Sequence, residues 1–322
     1  MQTKEIYQVV EQDFESVNQL IIEQLSSDVP LVEKIAHYIV ESGGKRMRPL
    51  VVLLASKALG YTGQNHTRLA TIIEFLHTAT LLHDDVVDTS DLRRGKATAN
   101  ARWGNAPSVL VGDFLYSRAF QMMVDIGNME IMHILANATN VIAEGEVFQL
   151  MNCKNPDITE DAYFEVIKNK TAMLFEAASH SAATLSESDA ATVTAMKNYG
   201  LHLGMAFQLV DDILDYTGDA EAMGKNVGDD LAEGKPTLPL IYTMQNGSKA
   251  DAELIRHAIR KGGTEELEAI ASAVSRSGAL DYTREHAQEH YKLACAQLQT
   301  LHDTPFKHAL LSLANLAVDR DR

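Results

Sequence analysis

The sequence has few residues that crosslink a chain or break a helix. Its 322 residues include two cysteines, Cys153 and Cys295, which excludes a disulfide framework and indicates a reducing compartment. Glycine and proline number 19 and 7, together about 8% of the chain against about 12% in average proteins. Because strong helix formers fill much of the remainder, the composition favours an all-helical protein.

Basic charge and long apolar runs are also scarce. Lys and Arg number 28 against 44 Asp and Glu, a net charge of −16, so the chain lacks the basic surface that nucleic-acid binding requires. The longest apolar runs, such as 49–55, are too short to span a bilayer. The first residues show no basic segment followed by an apolar run, so we expect no signal peptide. We therefore predict a cytoplasmic protein with no nucleic-acid partner and no transmembrane segment.

Helical periodicity extends over most of the chain. No segment resembles an interdomain linker, so we predict a single domain over 1–322. We predict helices over 5–25, 28–41, 49–59, 67–89, 106–126, 129–151, 159–184 and 188–217, and more from 240 onward. Asp28 should cap the second helix, and Arg48 should be non-helical because it precedes Pro49. Residues 218–239 carry four glycines and two prolines, which predicts a long functional loop.

Two Asp-Asp-x-x-Asp motifs lie inside apolar helical segments; their acids are Asp84, Asp85, Asp88, Asp211, Asp212 and Asp215. Residues i and i+4 share a helical face, where like charges are destabilising. One motif alone is as compatible with a solvated face as with a metal site, but two matching motifs favour metal. Magnesium prefers one or two carboxylates plus phosphate oxygens. We therefore predict catalytic acids at all six positions, with Asp84, Asp88, Asp211 and Asp215 as Mg²⁺ ligands around a diphosphate.

A diphosphate also needs direct cationic contacts. The candidates are Lys45, Arg46 and Arg48 in a glycine-rich turn, Arg93 and Arg94 after the first motif, Lys170 in a helix, and Lys225 and Lys235 in the long loop. Each alone is more often an ordinary surface charge. Their position beside glycines and acids favours Lys45, Arg48, Arg93 and Arg94. His77 lies seven residues before Asp84, hence on the same helical face, and could point into the same cavity as this acid.

Together these residues resemble the trans-prenyl diphosphate synthase family. The matching features are the Gly-Gly-Lys-x-x-Arg-Pro turn at 43–49, both aspartate motifs, Arg-Arg-Gly at 93–95, Lys170-Thr171, Gln208, and Gly-Lys-Pro-Thr at 234–237. They follow the family's order and spacing, and the resemblance runs from about residue 5 to the C-terminus. It implies the isoprenoid synthase fold, an all-α antiparallel helical bundle around a deep central cavity, in a homodimer.

The resemblance also implies the reaction and its residues. Isopentenyl diphosphate should condense with an allylic diphosphate such as farnesyl diphosphate, with two or three Mg²⁺ ions stabilising the leaving group while an allylic cation forms. The released diphosphate is our candidate proton acceptor. By resemblance, isopentenyl diphosphate is bound by Lys45, Arg48, His77 and Arg94. The allylic diphosphate is bound by Arg93, Lys170, Thr171, Gln208, Lys225 and Lys235.

The resemblance is greatest to bacterial members that make octaprenyl chains for quinones, so a long product is expected. Ala79 and Thr80 lie about one turn before Asp84 on nearly the same face. A large residue there would stop chain growth close to the metal, whereas these small residues leave a tunnel open. Met123 is a candidate for the floor of the tunnel.

Three other functions share parts of this pattern. A terpene cyclase or head-to-head condensing enzyme does not need the second aspartate motif or the glycine-rich turn. A non-catalytic subunit of a heteromeric synthase tends to lose acidic motifs, and both are intact here. A short-chain synthase making farnesyl or geranylgeranyl diphosphate is disfavoured mainly by Ala79 and Thr80, and product length would distinguish it.

Overall fold

The structure, a computed structural model, describes residues 1–217 and 227–319. Contacts between Cα atoms divide the chain into two compact units. Unit 1 consists of Met1–Thr139, Leu174–Gly200 and Gln297–Leu313, and unit 2 of Asn140–Met173, Leu201–Ala296 and Ala314–Arg322. The single domain over 1–322 stays a prediction.

Helices dominate both units, which confirms the all-α fold class. The described residues form helices α1 (Thr3–Gln8), α2 (Glu11–Gln24), α3 (Pro30–Glu41), α4 (Met47–Ala58), α5 (Asn65–Val87), α6 (Ala99–Trp103), α7 (Asn105–Ile126), α8 (Met129–Asn152), α9 (Glu160–Ile167), α10 (Met173–Leu185), α11 (Ala190–Thr217), α12 (Asp229–Ala232), α13 (Leu238–Asn246), α14 (Lys249–Lys261), α15 (Leu267–Ser277), α16 (Ala279–Gln297) and α17 (Pro305–Val318). Among the residues described, no helix has the length and apolar character needed to cross a membrane.

The first two helix predictions need correction. Residues 5–25 form two helices, α1 and α2, because the backbone leaves the helical conformation at Val10 (φ −127°, ψ 28°). The apolar periodicity continues across this break, since Ile6, Val10 and Val17 are all buried. Asp28 does not cap α3, whose N-cap residue is Val29. Pro30 begins that helix, and its fixed φ suits the first helical position.

The glycine-rich turn leads directly into a buried helix. Gly43 (φ 86°), Gly44 (φ 137°) and Arg46 (φ 44°) all have positive φ. Because α4 begins at Met47, the prediction that Arg48 is non-helical is wrong. Pro49 occupies the first turn, where its missing N–H would have had no helical partner. Every residue over 50–55 is fully buried, so the turn is attached to a helix enclosed on all sides.

A small hairpin follows the first aspartate motif and was not predicted. Its strands β1 (Leu92–Arg93) and β2 (Lys96–Ala97) pair antiparallel, with Arg93 opposite Lys96. The turn residues Arg94 and Gly95 have φ of 54° and 73°, as in the primed turns that suit two-residue hairpins. Two-residue strands carry too little periodicity to be recognised from sequence.

The segment predicted as one helix over 159–184 contains a π-helical turn, Lys168–Ala172, between α9 and α10, and this turn lies in unit 2. Such turns occur frequently at functional sites. Gly145 of α8 permits close approach, because a Cβ there would lie 2.9 Å from Asn169 Cβ and 3.1 Å from Lys170 N. Of the loop predicted over 218–239, residues 218–226 lie outside the described residues, and the rest includes α12 and the start of α13.

Candidate active site

The first aspartate motif lies at the C-terminal end of α5. Asp88 follows the last helical residue, and its N–H donates to the Asp84 carbonyl over 2.8 Å. The side chains of Asp84 and Asp88 are half-buried. The C-terminal end of a helix carries partial negative charge, so acids there are disfavoured by about 0.3 to 1 kcal/mol each. The location therefore favours a bound cation.

The middle acid of this motif has a different role. Asp85 is fully buried, and Arg93 donates to its Oδ1 from Nε (2.9 Å) and Nη2 (2.7 Å). Asn100 Nδ2 also donates to the Asp85 carbonyl over 3.2 Å. The ion pair between Asp85 and Arg93 thus connects the hairpin to α5, and the Arg93 charge compensates the charge of Asp85.

The second motif lies within α11, which the structure describes from Ala190 to Thr217. Its middle acid, Asp212, is 2% exposed. Tyr163 Oη donates to Asp212 Oδ2 over 2.6 Å, and Gln208 Nε2 donates to Oδ1 over 2.8 Å. Burial and the nearby Asp230 raise the pKa of the Asp212 carboxyl well above its usual value, against the opposing effect of the two hydrogen bonds. Of the outer acids, Asp215 is buried and Asp211 half-buried.

A cavity in unit 2 brings together five of the predicted site residues: Lys170, Thr171, Gln208, Asp212 and Lys235. Lys170 Nζ donates to Glu146 Oε2 (2.8 Å) and to Gln149 Oε1 (2.7 Å). Thr171 Oγ1 donates to Gln208 Oε1 over 2.9 Å. The predicted residue Lys225 lies outside the described residues. The cavity combines ammonium and hydroxyl donors with a carboxylate, a mixture suited to a metal-bound phosphate.

Unit 1 contains a basic cluster that joins the glycine-rich turn, α5 and the hairpin. Arg48 Nη1 lies 3.3 Å from His77 Nε2, and the Arg48 guanidinium lies 4.3 Å from the centre of the Phe175 ring. Arg94 packs against Gly44, where a Cβ would approach its Nη1 to 2.5 Å. The exposed Lys45 adjoins Gly44. Three of the four residues predicted to bind isopentenyl diphosphate, Arg48, His77 and Arg94, therefore belong to one cluster, and Lys45 lies next to it in sequence.

The electrostatics of this cluster keep its histidine neutral. Burial lowers the pKa of His77 well below its usual value, and the Arg48, Arg94 and Arg93 charges lower it further. Because Arg48 Nη1 is a donor, His77 Nε2 is the acceptor, and we assign the ring proton to Nδ1. The cluster thus combines arginine charges with a neutral acceptor.

Glu74 is an acid within the basic cluster that the sequence did not predict. Its Oε1 lies 3.8 Å from Arg46 Nε, and its side chain is 12% exposed. Burial raises the pKa of the Glu74 carboxyl, while Arg46, Arg48 and Arg94 act in the opposite direction. Glu74 precedes His77 by three residues on α5, which is the one signal that could have indicated it.

Other residues that the sequence did not predict lie in unit 2. They are Tyr163, Asp230 and Gln149, all lining the cavity, together with Glu146. No motif contains them, and their contacts to Asp212 and Lys170 span 18 to 49 residues of sequence, so no local pattern could have found them.

The role of the residues predicted to set product length stays a prediction. Ala79 is fully buried and Met123 is 1% exposed. Thr80 is half-buried, and its Oγ1 donates to the His77 carbonyl over 2.7 Å. His83, on the same helix, lies parallel to the Tyr116 ring and contacts the Val109 carbonyl at 3.1 Å. It therefore packs against α7.

The donors fit a hard divalent cation that shares its ligands with a phosphate. In residues 1–217 and 227–319 no group of three His, Cys, Asp or Glu side chains is arranged to hold a metal. Each motif instead offers two outer carboxylates four residues apart. Magnesium keeps several waters and uses one or two carboxylates with substrate oxygens, so a pair of this kind is suitable.

The two aspartate motifs and the basic cluster suit a protein that acts on diphosphate substrates. The all-α structure has the fold of isoprenyl diphosphate synthases. A solved polyprenyl synthase from Caulobacter crescentus CB15, in complex with calcium and isoprenyl diphosphate, matches the structure with a TM-score of 0.97 and 43% identity over 99% of this chain and 98% of that chain. The chain belongs to the polyprenyl synthetase family, whose model matches residues 29–276.

Curated relatives extend this similarity over the full length. The octaprenyl diphosphate synthase of Escherichia coli (strain K12) is 53% identical to this chain, and the alignment covers 100% of both chains. That of Haemophilus influenzae is 51% identical, covering 100% of this chain and 98% of the relative.

Proposed function

We propose that the chain is a long-chain all-trans polyprenyl diphosphate synthase that makes octaprenyl diphosphate. It extends farnesyl diphosphate by successive condensations with isopentenyl diphosphate. The observation that carries this proposal is the full-length identity of 53% and 51% to two octaprenyl diphosphate synthases. An octaprenyl product would serve as a quinone side chain, such as that of ubiquinone.

The basic cluster of unit 1 is suited to isopentenyl diphosphate. Arg48 and Arg94 present planar guanidinium groups, which match diphosphate oxygens better than a point charge does. Each is held in place, Arg48 by His77 and Phe175 and Arg94 by the backbone of Gly44. Lys45 supplies an additional ammonium group. A fixed site of this kind reduces the entropic cost of bringing the two reactants together.

The cavity of unit 2 is suited to the allylic diphosphate. Lys170 and Thr171 lie on the π-helical turn, and Gln208 accepts from Thr171 while donating to Asp212. Lys235 lines the same cavity. Arg93 and Lys225 are included by resemblance, although two guanidinium nitrogens of Arg93 already bind Asp85. These groups orient the diphosphate that must leave when the allylic carbon–oxygen bond breaks.

Divalent metal is proposed at the outer acids Asp84, Asp88, Asp211 and Asp215. The C. crescentus synthase in complex with calcium and isoprenyl diphosphate supports divalent-metal dependence. When bound, Mg²⁺ stabilises the negative charge that develops on the leaving diphosphate, and two or three ions are expected. The middle acids Asp85 and Asp212 are bound by protein donors and keep the outer pairs in position.

A homodimer and a cytoplasmic location complete the proposal. The homodimer is proposed from the family resemblance. The low cysteine content supports the cytoplasm.

Incorporation of labelled isopentenyl diphosphate into farnesyl diphosphate tests this function. We expect activity that requires Mg²⁺, stops in EDTA and returns when metal is restored. Asp84→Ala and Asp211→Ala should each reduce turnover by orders of magnitude with unchanged helical circular dichroism. Asp125→Ala removes an exposed acid of α7 and is the matched control, with near-normal turnover. Normal incorporation in EDTA would contradict the proposal.

A further inference from the structure

Tyr163 is a buried hydroxyl beside the second aspartate motif. Its side chain belongs to the apolar core of unit 2 together with Ile167 and Leu209, and the residue is 3% exposed. The ring is therefore fixed by packing, and its hydroxyl lies 2.6 Å from Asp212 Oδ2. Burial and Asp212 together raise the pKa of Tyr163 well above its usual value, so the hydroxyl remains a donor.

Tyr163 completes a set of three hydrogen bonds that joins two helical segments. Thr171 donates to Gln208, Gln208 donates to Asp212 Oδ1, and Tyr163 donates to Asp212 Oδ2. Tyr163 and Thr171 lie on α9 and the π-helical turn that follows it, whereas Gln208 and Asp212 lie on α11. Both oxygens of Asp212 are thus held, and the last turns of α11 are tied at two points to the segment that carries Lys170 and Thr171.

The two motifs hold their middle acids with donors of different charge. Arg93 holds Asp85 and compensates its charge. Tyr163 and Gln208 hold Asp212 as neutral donors, and the nearby acids Asp211 and Asp230 add negative charge around it. A neutral donor fixes the carboxylate without reducing the negative potential that attracts cations to the second motif.

We infer that Tyr163 is a positioning residue for metal binding at the second motif: its hydroxyl fixes Asp212, and Asp212 sets the direction in which α11 presents Asp211 and Asp215. This inference rests on the proposed function, because it requires metal at the outer acids. Without the hydroxyl, Asp212 would lose one of its two side-chain donors next to two other acids and would shift away from them. Loss of such a partner behind metal ligands commonly reduces metal affinity by about 10- to 100-fold.

Tyr163→Phe removes the hydroxyl while keeping the ring that packs in the core. We would titrate the full-length protein with Mn²⁺ in the presence of inorganic diphosphate and measure free Mn²⁺ by electron paramagnetic resonance. We expect the variant to bind Mn²⁺ about tenfold more weakly than the wild type. Tyr282→Phe is the matched control. It removes a 2.7 Å hydrogen bond from a tyrosine to Glu160 in the same unit, outside the cavity, and should leave Mn²⁺ binding unchanged.

A cycle with Asp212→Ala tests whether Tyr163 acts through Asp212, because alanine offers no acceptor to the Tyr163 hydroxyl. If it does, adding Tyr163→Phe to Asp212→Ala should weaken Mn²⁺ binding little further. In turnover, Tyr163→Phe should raise the Mg²⁺ concentration needed for half-maximal rate while leaving the KM for isopentenyl diphosphate unchanged. If the role of Tyr163 were purely structural, Tyr163→Phe would lower the melting temperature without raising the Mg²⁺ concentration needed for half-maximal rate.

The outcomes separate this inference from the proposed function. If the wild type takes up no Mn²⁺ with diphosphate, the proposed function fails, and the inference fails with it. If the wild type and Tyr163→Phe bind Mn²⁺ equally, or if the losses in the cycle are additive, only the role of Tyr163 is overturned.

Discussion

Arg94 and Gly44 form the closest packing in the basic cluster, and this contact can be tested with single residues. Gly44→Ala would place a Cβ 2.5 Å from Arg94 Nη1 at a position with φ of 137°. We expect the displaced guanidinium to raise the KM for isopentenyl diphosphate by about tenfold, the cost of roughly one charge-assisted hydrogen bond. The KM for farnesyl diphosphate should change little.

Gly43→Ala is the matched control for this change. It imposes a comparable backbone strain (φ 86°) but has no atom within 4 Å of the new Cβ. Strain alone would affect both variants through stability, whereas loss of the Arg94 contact affects only Gly44→Ala. Equal KM values for isopentenyl diphosphate in the two variants would show that the Arg94 contact is not used in binding.

At the level of single residues, sequence motifs could nominate candidate side chains for the chemistry but not the groups that hold them. Asp84, Asp88, Arg48 and His77 could be chosen because short motifs fix their spacing. The partners Tyr163 and Glu74 could not, since a hydrogen bond to Asp212 across 49 residues or a buried acid among arginines has no local signature. No sequence pattern indicated that Arg93 holds Asp85.

At the level of helices, sequence patterns succeeded where the apolar periodicity and the caps agree. Helices α7 and α8 begin and end within one residue of the predicted bounds. The prediction of one helix over 5–25 was wrong, because the helix is broken at Val10. Buried apolar residues continue on both sides of this break, so the periodicity does not reveal it. The π-helical turn was missed because a single extra residue in a turn hardly disturbs a 3.6-residue period.

A contact between α11 and α16 in unit 2 predicts a pH-dependent stability. His202 Nδ1 lies 2.9 Å from His290 Nδ1. Burial, together with His202 and His286, lowers the pKa of His290 from 6.5 to about 4. Below pH 6.5 His290 therefore binds a proton in the unfolded chain but not in the native state. Stability consequently falls as the pH decreases from 6.5 toward 4.

Urea unfolding as a function of pH tests this contact. Because His290 is only partly buried, we expect about 1 to 2 kcal/mol of stability to be lost over this range through His290. His290→Gln should reduce the loss, and His257→Gln, at an exposed position of α14, should not. Identical pH profiles for the wild type and His290→Gln would contradict the assignment.

For the whole molecule, the all-α class and the family could be predicted from composition and ordered motifs. The chain carries a net charge of −16, and each aspartate motif contributes three acids to it. The division into two compact units was not predicted, because helical periodicity runs through the residues where the units change.

Product length is a property of the whole molecule that Ala79 should control. Ala79 is fully buried on α5, so Ala79→Tyr would place a large ring about one turn from Asp84. We expect products of farnesyl or geranylgeranyl length, with the first condensation retained. Thr80→Ser keeps a small hydroxyl side chain and should leave product length unchanged. A full-length product from Ala79→Tyr would mean that the chain grows along another face.

The most direct test of the central claim is the product made by the wild-type protein alone. Purified protein would be incubated with farnesyl diphosphate, excess labelled isopentenyl diphosphate and Mg²⁺, and the dephosphorylated products separated by reversed-phase chromatography. We expect octaprenyl as the dominant final length. Products that stop at geranylgeranyl length, or no elongation without a second protein, would contradict it.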